Sequence, residues 1–125
     1  MQKAISTNQA PGAIGPYSQA IEVGDFVFAS GQIALDPATG AIVEGGIAEQ
    51  TRQALTNAQN ILKAAGTDLT NVVKTTVYLD NMDDFAAMNE VYAQFFSEPF
   101  PARSAVAVEK LPKGALVEVE VLAVK

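Results

Sequence analysis

Residues 116–124 read Leu-Val-Glu-Val-Glu-Val-Leu-Ala-Val, an alternation that is typical of a β-strand with one buried face. The odd-numbered positions from 115 to 123 are all apolar, so we expect them to pack against helices. Glu118 and Glu120 share the other face with large apolar residues, which is unusual for a face exposed to solvent. Because helices are expected to cover only the first face, a second subunit is the expected cover of the other.

Two amphipathic helices are predicted upstream of this strand. Apolar residues recur at helical spacing from Ile47 to Ala65, and Gly66 is a suitable C-terminal cap. A second apolar stripe begins after Asp83, which can cap the helix, and extends to Phe96. Strands outnumber helices, and the pattern therefore predicts an α+β domain with both helices packed on one face of a sheet.

The remaining apolar segments are predicted as strands because they are short and rich in β-branched and aromatic residues. Gly24 and Asp25 predict a tight hairpin turn between the first two strands, and Leu111–Gly114 predicts a hairpin between the last two. The predicted strands are Tyr17–Val23, Phe26–Ser30, a short segment Gln32–Leu35, Val72–Leu79, Arg103–Glu109 and Leu116–Val124.

The composition excludes several classes of chemistry. The 125 residues include no Cys and no His, which excludes thiolate nucleophiles, Ser-His-Asp triads and zinc sites with the usual ligands. Acidic residues do not cluster at metal-ligand spacing, so no metal site is predicted. The formal net charge of −6 argues against nucleic-acid binding. Without a leader or an apolar run of transmembrane length, we expect a cytoplasmic protein that does not enter the membrane.

Arg103 is the first candidate site residue because it opens an apolar strand directly after Pro101-Ala102. A guanidinium in such a position needs an anionic partner, and its planar fork matches a carboxylate. The partner is either a ligand carboxylate or a protein carboxylate, with Glu118 and Glu120 as the candidates in the chain. Alternation along the strand predicts that Arg103 lies on the same sheet face as these two glutamates.

Six motifs, in this order along the chain, resemble those of the RidA/YjgF family, the reactive-intermediate (enamine/imine) deaminases. Together they extend over essentially the whole sequence. They are Ala10–Ala20, Ser30–Ile33, Lys74–Leu79, Phe85–Tyr92, Pro101–Ser104 and Leu111–Gly114.

The resemblance implies a chorismate-mutase-like α+β fold with a mixed sheet, residues 1–125 forming a single RidA-like domain, and a homotrimer with sites at the subunit interfaces. It implies the hydrolysis of 2-imino acids such as 2-iminobutanoate and 2-iminopropanoate to 2-oxo acids and ammonia, without a cofactor. The implied partners are these small imino and oxo acids and other copies of the chain.

The resemblance also implies roles for individual residues. Arg103 would bind the substrate carboxylate, and Glu118 would act on the attacking water. Glu120, on the same face, is the rival for that second role. Other positions that would line the site are Tyr17, Ser30, Gly31, Asn89 and Ala105. Ala105 departs from the family, since members often carry Cys there, and the position is expected to act mainly through its backbone.

Three alternatives remain open at this level. The first is a trimer that binds small carboxylates without turnover and needs Arg103 but not Glu118. The second is an endoribonuclease or translation inhibitor, an activity described for some family members, which the acidic balance and the missing histidines disfavour. The third is a chorismate mutase, which rests on fold analogy alone.

Overall fold

A six-stranded mixed sheet forms one layer of the protein, and two helices form the other. The computed structural model describes all 125 residues. In chain order the elements are β1 (Gln2–Ile5), β2 (Ala20–Val23), β3 (Phe26–Ala29), α1 (Ile47–Ala64), β4 (Val72–Leu79), α2 (Phe85–Tyr92), β5 (Ala102–Ala107) and β6 (Val117–Val124). The strands lie side by side in the order β1-β2-β3-β6-β4-β5. The predicted α+β architecture with a mixed sheet is confirmed.

The last strand of the chain, β6, occupies the interior of the sheet between β3 and β4. Val117 and Val119 have no exposed surface, and Val121 is only 2% exposed. The apolar stripe of α1, which includes Leu55, packs against this buried side of β6. The prediction that the odd-numbered positions of β6 face the helices is therefore confirmed.

The predicted hairpin between the last two strands is wrong. β5 pairs in parallel with β4, whereas β6 pairs antiparallel with β4 on that strand's other edge. Helix α2 connects β4 to β5, and a helical crossover returns the chain in the same direction, which produces a parallel pair. Residues Pro112–Gly114 form a tight turn on the path from β5 at the edge to β6 in the interior.

The strand register also corrects the predicted face of Arg103. Thr75 of β4 pairs with Arg103 on one side and with the buried Val121 on the other, so all three lie on the helix-covered face. Tyr78 pairs with Glu118, and both lie on the opposite face. Arg103 and Glu118 of one chain are therefore on opposite faces of the sheet.

Side-chain size explains why alternation misassigned β5. The face of this strand that the helices cover carries the small Ala105 and Ala107, whereas the larger Val106 lies on the open face and is 46% exposed. A pattern based on hydrophobicity assigns the larger apolar residue to the core. At this edge strand the alanines face the helices instead, and Ala105 packs against the core at its margin.

The N-terminal part of the sheet differs from the prediction in three places. The strand β1 was not predicted; it pairs antiparallel with β2. The strand predicted from Tyr17 begins only at Ala20, because residues before it form the irregular segment that leads into the sheet. The segment Gln32–Leu35 contributes two isolated bridges, from Gln32 to Val119 and from Leu35 to Ile42, instead of a strand.

The second helix is shorter than predicted. A 3-10 turn, Met82–Asp84, precedes α2, and the side chain of Asn81 accepts a hydrogen bond from the Asp83 backbone N–H at 2.8 Å. The predicted N-cap, Asp83, is therefore part of a turn that Asn81 caps. The helix ends at Tyr92, and Phe96 packs into the core from the segment that follows.

The face of the sheet opposite the helices is apolar and uncovered within one chain. Val23, Phe26, Phe28 and Val106 all lie on it, with exposed fractions between 38% and 49%. The apolar character of this face agrees with the large apolar residues at the even-numbered positions of β6. Neither helix combines the length and the apolar character that crossing a bilayer requires.

Candidate active site

Glu118 lies on the open face of β6 with its side chain half-buried. The side chain has no hydrogen-bond or ion-pair partner within the chain. Burial raises the pKa of the Glu118 carboxyl above its ordinary value, and the neighbouring carboxylate of Glu120 raises it further. The carboxyl can therefore gain and lose a proton closer to neutral pH than an ordinary glutamate can.

Gly31 makes room for this carboxyl. A Cβ built on Gly31 would collide with the Glu118 carboxylate oxygen Oε2, so any other residue there would displace the carboxyl. The main chain beside Gly31 is fixed to β6, because the Gln32 N–H donates to the Val119 carbonyl at 2.8 Å and the Val119 N–H donates to the Gln32 carbonyl at 2.9 Å. The glycine thus allows the backbone to approach the Glu118 side chain closely.

A cavity of about 450 Å³ opens in front of Glu118. Tyr17, 52% exposed, forms part of its wall, and its hydroxyl accepts a long 3.4 Å hydrogen bond from the Ile14 N–H. Lys113 is the only basic residue of the lining and Glu118 the only acidic one. The lining comprises Pro11, Gly12, Ile14, Tyr17, Gly31, Gln32, Ile33, Leu35, Pro112, Lys113 and Glu118.

Ser30 does not line this cavity; it lines a separate cavity on the open face, which Glu120 also lines, and its hydroxyl is used inside the chain. The Ser30 Oγ donates to the Ser18 carbonyl at 2.6 Å, and the Ser30 N–H donates to the Gln19 carbonyl at 2.9 Å. The predicted site residue Ser30 therefore holds the Ser30-Gly31 segment against the segment that carries Tyr17. Its contribution to the site is the placement of Gly31.

The wall of the cavity that contains Pro11 is held by the side chain of Gln19, which is 4% exposed. Its amide nitrogen donates to the carbonyls of Pro11 at 2.7 Å and Thr7 at 3.0 Å, and its amide oxygen accepts from the Thr7 N–H at 2.7 Å. A buried amide that satisfies irregular backbone in this way restricts the movement of the segment.

Two more buried amides, both on α1, act on the other walls. Asn57 donates to the carbonyls of Ile33 at 3.2 Å and Leu35 at 2.9 Å. Gln50 accepts from the Leu116 N–H at 2.9 Å, just before Glu118. The loops around Glu118 are therefore fastened to the core by side chains whose polar groups would otherwise be unsatisfied.

Arg103 lies in a second cleft, of about 460 Å³, between β5 and α2. Its Nη1 donates to the Asn89 Oδ1 at 2.7 Å. The guanidinium carbon lies 4.8 Å from the ring centre of Tyr92 and 5.4 Å from that of Phe85, so both rings support it by cation–π contact. Asn89 and Arg103, which the sequence predicted as site residues, are thus brought together.

The platform under Arg103 is rigid. The Tyr92 hydroxyl is hydrogen-bonded to the Thr75 Oγ1 at 2.7 Å, and the Tyr92 ring packs on Phe96 with 4.5 Å between ring centres. Ala105, the predicted site residue two positions after Arg103, lies on the same face of β5 and packs partly into the core. Sequence reasoning assigned Tyr92 to the core and missed its second function, although its spacing of three from Asn89 on one helix is a usable signal.

The one ion pair of the structure joins Lys125 to Glu22. Arg103 therefore has no carboxylate of its own chain within ion-pair distance. Arg103 therefore forms no ion pair with Glu118 or Glu120 of its own chain, and the structural alternative, a pair with either glutamate that holds the subunit interface, stays a prediction. Most guanidinium N–H groups remain available for an anion in the cleft.

Glu120 occupies different surroundings from Glu118. It is exposed and lines a separate cavity on the open face together with Lys74 and Thr76. It does not border the cavity that Tyr17 and Gly31 form. The structure thus separates the two glutamates that the sequence pattern left as rivals.

The Arg103 cleft and the Glu118 cavity do not meet within one chain. Strand β4 lies between β5 and β6, so the two strands are about 10 Å apart at the usual strand spacing, and the two side chains lie on opposite faces. Each chain thus carries two separate halves of the predicted site. No group of three or more acidic side chains is arranged to hold a metal ion.

Replacing Glu118 by Gln is expected to stabilise the single, unassembled chain at neutral pH, because no cation of a neighbouring copy then faces the carboxyl. The raised pKa means that the folded state binds the proton of Glu118 more strongly than the unfolded state, whose carboxyl titrates near its ordinary value of 4.5. The wild type therefore loses stability as pH rises through 4.5 to the folded-state pKa, whereas Glu118→Gln does not.

Urea unfolding at a protein concentration low enough to keep the chains unassembled, at about pH 4 and about pH 7, measures this difference. The stability gain of Glu118→Gln should be present at the higher pH and nearly absent at the lower one. Glu109→Gln, a change in the exposed loop after β5, is the control. A Glu118→Gln chain that is less stable than the wild-type chain at neutral pH would contradict a raised pKa of Glu118 within one chain.

Comparison with known proteins identifies the family of the chain. The sequence profile of the family described as Endoribonuclease L-PSP matches residues 7–125. The 2-iminobutanoate/2-iminopropanoate deaminase of Bos taurus is 55% identical over 125 residues, which are 100% of this chain and 91% of the relative.

Two solved structures share the fold over nearly their whole length. A protein of the Rid family from Yersinia pestis, YyfA, superposes with a TM-score of 0.97 at 48% identity, with 100% of both chains covered. E. coli TdcF, solved with bound serine, superposes with a TM-score of 0.93 at 43% identity, with 98% of both chains covered. The chain therefore belongs to the Endoribonuclease L-PSP family, which is the RidA/YjgF family that its motifs predict.

Proposed function

We propose that the protein is a 2-iminobutanoate/2-iminopropanoate deaminase that hydrolyses imine and enamine intermediates of amino-acid metabolism to 2-oxo acids and ammonia. The observation that carries this proposal is a pair of complementary groups: an arginine that lacks a carboxylate partner and a half-buried glutamate with a raised pKa. One suits the carboxylate of an imino acid, and the other suits proton transfer to and from water. The names of the relatives support the same reaction.

The two halves require a second copy of the chain. Because Arg103 and Glu118 of one chain lie on opposite faces of the sheet, a small imino acid can contact both only if they come from different chains. The open face supplies a surface for association, since Phe26, Phe28 and Val106 are all 46% or more exposed on it. We propose the homotrimer that the family resemblance implies, with Arg103 of one chain facing Glu118 of the next at each interface.

The reaction follows from these positions. Arg103 binds the substrate carboxylate with the N–H groups that Asn89 does not occupy, which fixes the imine carbon in front of Glu118. Glu118 takes a proton from water as the water oxygen bonds to that carbon, and the C=N electron pair moves to nitrogen, which receives this proton from Glu118. The hydroxyl proton of the tetrahedral carbinolamine is then transferred through Glu118 to the amino group, which leaves as ammonia while the C=O group of the 2-oxo acid forms.

The surroundings of Glu118 suit this role. A carboxyl whose pKa is raised by burial accepts a proton from water more readily than an ordinary glutamate does and still returns it near neutral pH. The Gly31 N–H donates no hydrogen bond within the chain and can bind the substrate, and Tyr17 can cover it. Ala105 lacks a thiol, so its contribution is limited to backbone and packing.

The proposal needs no metal or cofactor, because water addition to an activated C=N bond requires only positioning and proton transfer. Residues 1–125 would act as one RidA-like domain, and the reaction would take place in the cytoplasm. A direct test is a coupled assay in which an amino-acid oxidase generates the 2-imino acid and its decay is followed with and without this protein. If the imine decays at the same rate with and without the protein, and the protein binds a 2-oxo acid, the alternative of a trimer that binds small carboxylates without turnover is favoured instead.

Arg103→Lys is expected to lower kcat/KM by about 100-fold or more, although the positive charge is retained. An ammonium group cannot provide the two parallel hydrogen bonds of a guanidinium, and it loses the planar contact with Tyr92. The coupled assay measures the loss. Arg52→Lys, at an exposed position of α1, is the matched control. Near-normal activity of Arg103→Lys would mean that the carboxylate is recognised elsewhere.

Glu118→Gln is expected to lose about 100- to 10,000-fold in kcat, the usual contribution of a general acid–base group. It should still bind 2-oxobutanoate, because the glutamine amide preserves shape and hydrogen bonding. Glu120→Gln should retain most of the turnover, since Glu120 lies in a different cavity. The rate of imine decay and the calorimetric binding of 2-oxobutanoate are measured for both variants. If Glu120→Gln loses turnover and Glu118→Gln retains it, the general acid–base role belongs to Glu120.

Mixing the two inactive variants is expected to restore activity. In trimers reassembled from equal amounts of Arg103→Lys and Glu118→Gln chains, about a quarter of the interfaces join an intact Glu118 from one variant to an intact Arg103 from the other. Sedimentation equilibrium of each variant should give a trimer. A mixture with no more activity than its components, despite exchange of chains, would contradict a site shared between subunits.

A further inference from the structure

Lys113 has an unusual backbone conformation for a lysine. It lies in the left-handed region, with φ 57° and ψ 25°, and is the one non-glycine residue of the chain with a positive φ. Pro112 precedes it and Gly114, with φ 68°, follows it. A left-handed lysine is energetically unfavourable, whereas asparagine or glycine adopts this conformation more easily. The backbone conformation therefore does not favour lysine at position 113.

The side chain lies where a cation matters for the proposed reaction. Lys113 lines the Glu118 cavity and is its only basic residue. No carboxylate is within ion-pair distance of its ammonium group. Burial and Glu120 both raise the pKa of Glu118, and Lys113 does not counteract them. The cavity therefore contains the ammonium group of Lys113, which forms no ion pair with the carboxyl of Glu118.

The charge of the rest of the chain makes this cation useful. The formal net charge is −6, which repels an anionic imino acid in solution. Arg103 lies on the other face of the sheet of the same chain, so within one chain Lys113 is the cation of the Glu118 half.

We propose that Lys113 recruits the anionic substrate to the Glu118 cavity and thereby favours 2-imino acids over neutral imines. This inference rests on the proposed function of the same site. Lys113 acts before Arg103 of the neighbouring copy binds the carboxylate, so its effect belongs to KM and to the rate of capture, with little effect on kcat.

Lys113→Asn separates a structural role from this one. Asparagine removes the charge but suits the left-handed backbone, so the melting temperature should be unchanged or higher while kcat/KM falls by about fivefold at low ionic strength. The loss should shrink when salt is raised to about 0.5 M, because screening weakens the attraction. Lys113→Arg, which keeps the charge, should retain most of the rate.

Lys110→Asn is the matched control. Lys110 is exposed in the same loop but does not line the cavity, and its replacement changes the net charge by the same amount. It should leave kcat/KM and its salt dependence as in the wild type. Equal losses in Lys110→Asn and Lys113→Asn would overturn the proposal, because only the overall charge would then matter.

Calorimetric binding distinguishes this inference from the proposed function. Lys113→Asn should weaken the binding of 2-oxobutanoate by about fivefold and leave that of the neutral 2-oxobutanamide unchanged. If the wild type binds 2-oxobutanoate but does not turn over imines, the deaminase proposal fails and the binding comparison still decides the role of Lys113. The proposed role of Lys113 is overturned if Lys113→Asn weakens the binding of 2-oxobutanoate and of 2-oxobutanamide equally. It is also overturned if the wild type does not bind 2-oxobutanoate.

Discussion

Burial of one side of β6 is the constraint on which the rest of the structure depends. Val117, Val119 and Val121 are sealed against the helices, and alternation then forces Glu118 onto the opposite face. Val119 of the same strand accepts one hydrogen bond from Gln32 and donates another to it, and this pair holds the Gly31 segment beside Glu118. The position of the carboxyl and the shape of its cavity thus both follow from how β6 is packed.

This constraint also explains which parts of the fold could be predicted. Strong alternation in β6 and a clear helical stripe in α1 predict their faces correctly, because large apolar residues fill one side of each. In β5 the covered side carries Ala105 and Ala107, so hydrophobicity alone selects the wrong face. Local turn residues likewise indicate a bend after β5 but contain no information about which strand β6 will pair with.

The candidate site shows the same division. The family motifs identify Arg103, Asn89 and Gly31, and the structure gives each a partner that accounts for its residue type. The support that Tyr92 gives to the guanidinium was missed because aromatic residues on a helix face usually indicate core packing, although the spacing of three from Asn89 places both residues on one helix face. The separation of Arg103 from Glu118 depends on the parallel pairing of β5 with β4, which involves residues far apart in the chain.

The placement of the two halves on opposite faces has a genetic consequence. In the proposed ring of three, every chain would complete the site of one neighbour with its arginine and its own site with its glutamate. A copy that folds and assembles but lacks both groups would disable two of the three sites of the ring that it joins. Such an allele would be partly dominant, whereas one that prevents folding, and so never enters the ring, would be recessive.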